Sequence, residues 1–229
     1  MILTKNIKNI PIFNAIIETG GKCYIHGGTV RDIIIGITPD DYDILVENVT
    51  MSQLFDISKD FGVPRLHPYL DKVMKLHTRE YGEIDICISR GTVNEHLLSN
   101  IDFTMNMLAQ DIENLDMYNP VGGLEDIKNK KIKLNPTQDN LTFSPRSIIR
   151  AARFMCKFGF EIDIQTMIIL DRDKNLIFDL IHPYIIAREM QKLFKTKNNE
   201  LGIILLNQFG IYDKLFNIYE NELGDLKYL

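Results

Sequence analysis

The stretch Cys23–Val46, CYIHGGTVRDIIIGITPDDYDILV, constrains the fold more than any other part of the chain. Lys22–His26 reads as a buried strand that runs straight into Gly27-Gly28. Thr29–Ile35 reads as a short helix stopping at Gly36, and Tyr42–Val46 as a second strand. Strand, glycine turn, helix and strand in succession begin an α/β arrangement. Glycines at such a turn let a ligand approach the backbone closely. The free N–H groups of a helix start favour phosphate. Arg31 lies one turn into that helix and adds positive charge. Taken alone, Gly-Gly before a helix is a weak signal, because a tight strand-to-helix turn needs it as well.

Asp41 and Asp43 change that balance. Residues two apart on a strand point to the same face, so these acids project together while Tyr42 points away. Two neighbouring carboxylates repel, and the apolar Ile44-Leu45-Val46 flank raises the cost. A divalent cation removes the conflict, and Mg²⁺ typically takes one or two carboxylates plus phosphate oxygens. A bare D-x-D is common, but at this distance from a glycine turn it becomes a strong signal. A third carboxylate is expected if two ions are to flank a phosphoryl transfer. Asp85, between Ile84 and Ile86 on a predicted strand, is the candidate, with Glu83 a competitor on the same face.

Two regions differ in periodicity. Up to Leu134, strands alternate with helices: Met51–Phe61 is an amphipathic helix. Lys72–Leu76 and Glu83–Ser89 form a strand pair around a polar turn at Thr78–Gly82. Phe103–Ala109 is helical, Leu115–Tyr118 extended, and Lys131–Leu134 a last strand. From Pro145 onward the apolar spacing is helical in Pro145–Lys157, Gln165–Asp171, Tyr184–Phe194, Gly202–Gln208 and Lys214–Glu220. The polar segment NPTQDNLTFS reads as a linker. The expected organisation is therefore an α/β domain over 1–134, a linker over 135–144 and an all-helical part over 145–229.

A net charge of −5 argues against a protein that coats nucleic acid by bulk electrostatics, but leaves room for a local basic groove. Arg146, Arg150, Arg153 and Lys157, spaced four, three and four, align on one helix face. A stripe of this kind is usually a solvated face; following a polar linker, it is read as facing phosphate. Cys23, Cys87 and Cys156 fit no zinc spacing and read as buried reduced thiols. No apolar run is long enough to span a membrane, and the N-terminus has no secretory pattern, so a cytoplasmic protein is expected. None of the five histidines shows metal-ligand spacing, and only His26 lies beside the glycine turn.

With these residues in hand, the sequence resembles the bacterial-type (class II) tRNA nucleotidyltransferase/poly(A) polymerase family. Four blocks carry the resemblance. They are His26–Asp32 with Gly36 and Asp41-Tyr42-Asp43; Asp102–Asn106; Asn119–Asp126; and Arg150–Phe154 with Gly159-Phe160. The resemblance implies a catalytic head of the polymerase-beta-like type, with a mixed sheet of about five strands, followed by an all-helical neck and a short C-terminal cap. It implies Mg²⁺ at Asp41 and Asp43, and Asp85, an acid between two isoleucines on its strand, is the candidate for the third catalytic acid. It further implies triphosphate contacts at the Gly27-Gly28 turn and Arg31, and nucleotide contacts from Asp102, Asn106, Arg150 and Arg153. Arg146 and Lys157 are the candidates for RNA contact. The activity implied is template-independent addition of nucleotides to an RNA 3′ end, with tRNA CCA addition or repair foremost. ATP is the expected substrate and CTP a second candidate. Poly(A)-type addition of A, a catalytically weak nucleotide- or RNA-binding descendant, and transfer to a small acceptor are the alternatives.

Three departures stand out. Ile101 replaces an arginine usual before the Asp-Phe-Thr block. Phe143, Ser144 and Ser147 occupy the positions of the Glu-Asp-x-x-Arg pattern that reads the incoming base in such enzymes, and serine is short and uncharged. The chain also ends soon after the neck, where relatives of this kind continue into tRNA-gripping domains. A homodimer or a partner subunit is the expected substitute for that grip.

Overall fold

The computed structural model describes residues 10–39, 41–67, 70–137, 141–142 and 144–224. It divides into two compact units, Met1–Ile127 and Lys128–Leu229.

The first unit is built on a seven-stranded mixed sheet. Its strands are β1 (Lys22–His26), β2 (Tyr42–Glu47), β3 (Val63–Leu66), β4 (Val73–Thr78), β5 (Gly82–Ile88), β6 (Ala109–Asp111) and β7 (Met117–Tyr118), in the order β3-β4-β5-β2-β1-β6-β7. β2 and β5 pair parallel, and every other neighbouring pair is antiparallel. The period-two alternation of the sequence sorts the side chains. Ile44, Val46, Met74, Leu76, Ile84 and Ile86 are fully buried on one face. On the other face Tyr24 and Leu45 pack with Val93, Leu97 and Ala109, joined by Cys87, Ile101 and Tyr118. The helix that supplies Val93 and Leu97, Val93–Asn100, is opened by a capping box between Thr92 and Glu95. That helix covers only part of its face. Asp43, Asp85, Glu83, Lys75 and His77 share it and remain half-buried or exposed.

The expectations differ from this in three ways. The sheet has seven strands where about five were expected, because two short edge strands extend it. β3 carries Pro64, which is tolerated at an edge, and β7 has two residues. Phe103–Ala109 is not a helix. Thr104–Asn106 forms one 3₁₀ turn, and Ala109 then enters β6. Phe103, Met105, Met107, Leu108 and Ala109 are all fully buried, so the run lacks the polar side of an amphipathic helix. The edge of β1 needs a partner for its backbone groups, which β6 supplies.

The third difference is the boundary between the units, which falls after Ile127 rather than after Leu134. β8 (Lys131–Ile132) does not join the main sheet. It pairs parallel with β9 (Glu161–Ile162) inside the second unit. The expected linker also belongs to that unit: Asn135 is buried and its Oδ1 accepts from the Thr137 N–H at 2.9 Å, and the Leu141 N–H donates to Asp173 at 3.0 Å. Residues 138–140 and 143 lie outside the described set.

The second unit is helical, with Ser147–Phe158, Ile164–Arg172, Leu176–Leu180, Pro183–Phe194, Asn199–Gln208 and Tyr212–Tyr219 among the described residues. Ser147–Phe158 packs against Pro183–Phe194 and Asn199–Gln208. Gly202 permits the close approach: a Cβ there would lie 2.7 Å from Leu193 Cδ1 and 3.0 Å from Cys156 Sγ. No described helix is long and apolar enough to cross a membrane.

Candidate active site

The site grows from the end of β1. Gly27 takes φ +61°, a left-handed conformation that suits glycine, and its N–H donates to the Leu108 carbonyl at 2.9 Å. That bend starts the helix Gly27–Ile35, which ends on left-handed Gly36. The Asp43 carboxylate lies against the bend, accepting from the backbone N–H groups of Thr29 and Gly28. A Cβ on Gly28 would lie 3.2 Å from Asp43 Oδ2 and 3.4 Å from Arg31 Nη2, so glycine is what lets the carboxylate sit there. Thr29 fastens the neighbouring backbone: its Oγ1 accepts from the Asp43 N–H at 2.7 Å and donates to the Asp41 carbonyl at 3.3 Å.

Asp85 stands directly across from Asp43 in the parallel β2–β5 pair. The expected third acid therefore reaches the same corner from a distant part of the sequence. Desolvation first, and then the Asp85 charge, raise the Asp43 carboxyl above its usual range, against the pull of Thr29 and Gly28 N–H and of Arg31. Asp41 is raised by desolvation and by Asp85 and Glu83, with Lys75 opposing. Groups this reluctant to ionise fit a cation that would relieve them. Among the described residues, no three His, Cys, Asp or Glu side chains are placed to hold a metal ion. The protein offers open carboxylate oxygens rather than a closed cage. That donor set suits a hard ion such as Mg²⁺ completing its shell with phosphate and water.

Arg31 is buried beside Gly28, but its guanidinium is engaged. It pairs with Asp32 Oδ1 at 2.6 Å and donates through Nη1 to Asn106 Oδ1. The structure thus joins Gly28, Arg31 and Asn106, which sequence reasoning named separately. Asp102 is buried ahead of the 3₁₀ turn. Thr104 in that turn donates to Asp126 at 2.7 Å, and a side chain on Gly123 would collide with the Thr104 carbonyl. The Asp102–Asn106 and Asn119–Asp126 blocks are therefore two halves of one packed element.

The basic stripe lies in the second unit, on Ser147–Phe158, with Arg146 at its N-cap. Arg150 and Arg153 place their guanidinium carbons 5.4 and 4.6 Å from the Phe154 ring, and Lys157 Nζ is 5.3 Å from that of Phe158. Arg153 also faces the buried Glu189 at 3.7 Å. Ser147 is fully buried.

Sequence reasoning missed Lys75, whose Nζ lies 2.9 Å from Asp85 Oδ1 and also pairs with Glu83. The signal was present: in Val-Met-Lys-Leu, alternation turns Lys75 away from buried Met74 and Leu76, onto the face of Asp85. His26 and His96, with rings 5.7 Å apart, form an inert neighbour of the site. Burial holds both neutral, with pKa values lowered to about 4.

Residues 23–133 match the family described as the poly A polymerase head domain, and the solved Thermotoga maritima CCA-adding enzyme, in complex with tRNA, superposes on 92% of this chain with a TM-score of 0.79 and 26% identity. The chain belongs to the tRNA nucleotidyltransferase/poly(A) polymerase family. It is 29% identical over 228 residues to the CC-adding tRNA nucleotidyltransferase of Shouchella clausii, covering 98% of this chain and 58% of that protein. It is 30% identical over 235 residues to the CCA-adding enzyme of Bacillus pumilus, covering 94% and 56%. The chain thus spans little more than half the length of these family members, and 52% of the Thermotoga protein. The α/β sheet followed by helices is the fold of these enzymes.

Proposed function

We propose that this chain is a nucleotidyltransferase that adds nucleotides from ATP, and from CTP as a second substrate, to the 3′ end of tRNA in the cytoplasm. The observation that carries the reading is the Asp43 carboxylate seated on the Gly27-Gly28 bend, with Asp41 beside it in sequence and Asp85 beside it in the sheet. Relatives named for CC and CCA addition, and the solved complex with tRNA, support the choice of acceptor.

In the reaction, the RNA 3′ hydroxyl gives up its proton to solvent water and its oxygen forms a bond to the α-phosphorus. The bond from that phosphorus to the β-phosphate bridging oxygen breaks, and pyrophosphate leaves with the electron pair. Asp41 and Asp43 would hold Mg²⁺, which when bound would supply positive charge for the phosphates and acidify the attacking hydroxyl. The chain's own groups position the reactants. Gly27 and Gly28 leave room at the bend, and Thr29 locks the backbone of both acids. Arg31, already paired with Asp32, holds Asn106 where, with Asp102, it contacts the nucleotide sugar. A catalytic head ending at Ile127 and the neck roles of Arg146, Arg150, Arg153 and Lys157 as nucleotide and RNA contacts belong to the same proposal, as does a homodimer or partner subunit supplying further tRNA grip.

One observation favours a second reading of base choice. Ser147, at a position where such enzymes carry a base-reading arginine, is fully buried and cannot reach a base edge. Relaxed or A-only addition then replaces ordered CCA addition. The test is to incubate the protein with Mg²⁺, each labelled nucleoside triphosphate separately, and tRNA lacking its CCA end, beside a generic oligonucleotide. Incorporation lost in Asp41→Ala supports the enzyme. Nucleotide binding without incorporation on any RNA replaces it with a binding protein.

A further inference from the structure

The open face of the sheet carries four charged residues in direct cross-strand register. Asp43 on β2 faces Asp85 on β5, which faces Lys75 on β4, which faces Arg65 on β3. Directly opposite side chains on one face are neighbours, so this row is an ordered line of charges, two acids followed by two bases. Lys75 is its centre: its ammonium is bonded to Glu83 and stands 2.9 Å from Asp85. A cavity of about 240 Å³, lined by Val63, Arg65, Lys75, His77 and Glu83, opens beside it.

The pairing does little for stability. Lys75 is 41% exposed and Asp85 35%, and ion pairs that open to water contribute little. What it does is occupy Asp85. An ion bridging Asp43 and Asp85 would have to compete with the ammonium for Asp85 Oδ1.

Building on the catalytic reading above, we infer that Lys75 is a positioning residue that keeps Asp85 and Glu83 out of the metal's coordination shell. The site then holds one divalent ion, on Asp41 and Asp43, and the Lys75 ammonium is the fixed second positive charge of the corner. Two-ion phosphoryl transfer uses a mobile cation in the role that this chain gives to a covalently attached one.

The test counts ions. Mn²⁺ alone is titrated into the protein and free Mn²⁺ read by electron paramagnetic resonance. The wild type is expected to bind a single ion in the site, lost in Asp43→Asn. Lys75→Met, and Lys75→Gln as a second neutral variant, are expected to gain another. Lys75→Arg keeps one, and Lys75→Met combined with Asp85→Asn returns to one. Lys75 is exposed enough for these changes to leave folding intact, which circular dichroism checks. A neutral variant that still binds one ion, whether or not more tightly, overturns the inference, as does a wild type that already binds two. A wild type that binds no Mn²⁺, with Asp41→Asn and Asp43→Asn indistinguishable from it, overturns the catalytic reading as well.

Discussion

Adding one methyl group to each glycine of the bend separates what the turn does for folding from what it does for chemistry. At Gly27 the backbone is the obstacle. Its φ is +61°, while an added Cβ would meet nothing closer than Asp43 Oδ2 at 3.5 Å, an ordinary contact. An alanine forced into the left-handed region costs roughly 1–2 kcal/mol. At Gly28 the backbone accepts alanine, and helix propensity favours it by up to about 1 kcal/mol. The new Cβ, however, would press on Asp43 Oδ2 at 3.2 Å and Arg31 Nη2 at 3.4 Å. The carboxylate must withdraw by a few tenths of an ångström. Since a misplacement of about 1 Å costs on the order of 100-fold in rate, a loss of roughly ten-fold is expected. Urea denaturation and single-nucleotide incorporation on tRNA lacking CCA read the two effects. Gly27→Ala should lose stability, while Gly28→Ala should stay within about 1 kcal/mol of wild type but turn over slowly. A fully active Gly28→Ala, or a Gly27→Ala as stable as wild type, refutes the reasoning.

Because burial and Asp85 raise the Asp43 carboxyl, protons compete with the metal: Mn²⁺ affinity measured by titration should weaken as pH falls through the upper carboxylate range. The sign for folding is opposite. In metal-free protein a raised carboxyl contributes stability at low pH that is lost as pH rises through its folded value, and added Mg²⁺ should restore it in a thermal melt. His26 and His96, lowered to about 4, contribute stability present above about pH 6.5 and lost as pH falls toward 4. His26→Phe should flatten that acid limb of a urea-stability profile. Gly202→Ala would place a methyl 2.7 Å from Leu193 Cδ1, and should cost roughly 1–3 kcal/mol by overpacking, read by urea denaturation. Burial, with Glu113 and Asp111 adding to it, pushes the Cys23 thiol up to about 12, so Cys23 should be slow to react with a thiol reagent until the protein is unfolded.

The carboxylate corner was legible because its signals are local. A glycine bend, a helix start and a D-x-D on a strand are each dictated by nearest neighbours in the chain. Asp85 was legible by its company, an acid between two isoleucines on a strand. Lys75 was not singled out: alternation puts it on the face of Asp85, but only the register of the β4–β5 hairpin sets the two opposite each other. The helices of the second unit were legible from their apolar spacing, apart from the short Leu176–Leu180. The strand at Ala109–Asp111 was misread as the end of a helix, while Lys131–Leu134 was read as a strand but placed in the wrong unit. A short, fully buried run has no exposed side to reveal its period, so only the strand awaiting a partner decides its fate. Arg31 illustrates the other limit. Sequence places its charge beside the bend, but only the structure shows Asp32 and Asn106 already holding it.

The parallel pairing of β2 with β5 in an otherwise antiparallel sheet has an evolutionary corollary. It brings two acids to one corner while leaving a helix and the β3–β4 hairpin as the path between them. Closing a longer path costs only slowly more entropy, so that path can gain or lose residues without disturbing the distance between Asp43 and Asp85. Variation among relatives should accumulate in the helix and turns of that excursion, which are free to acquire new contacts while β4, with Lys75 beside Asp85, stays with the reacting corner.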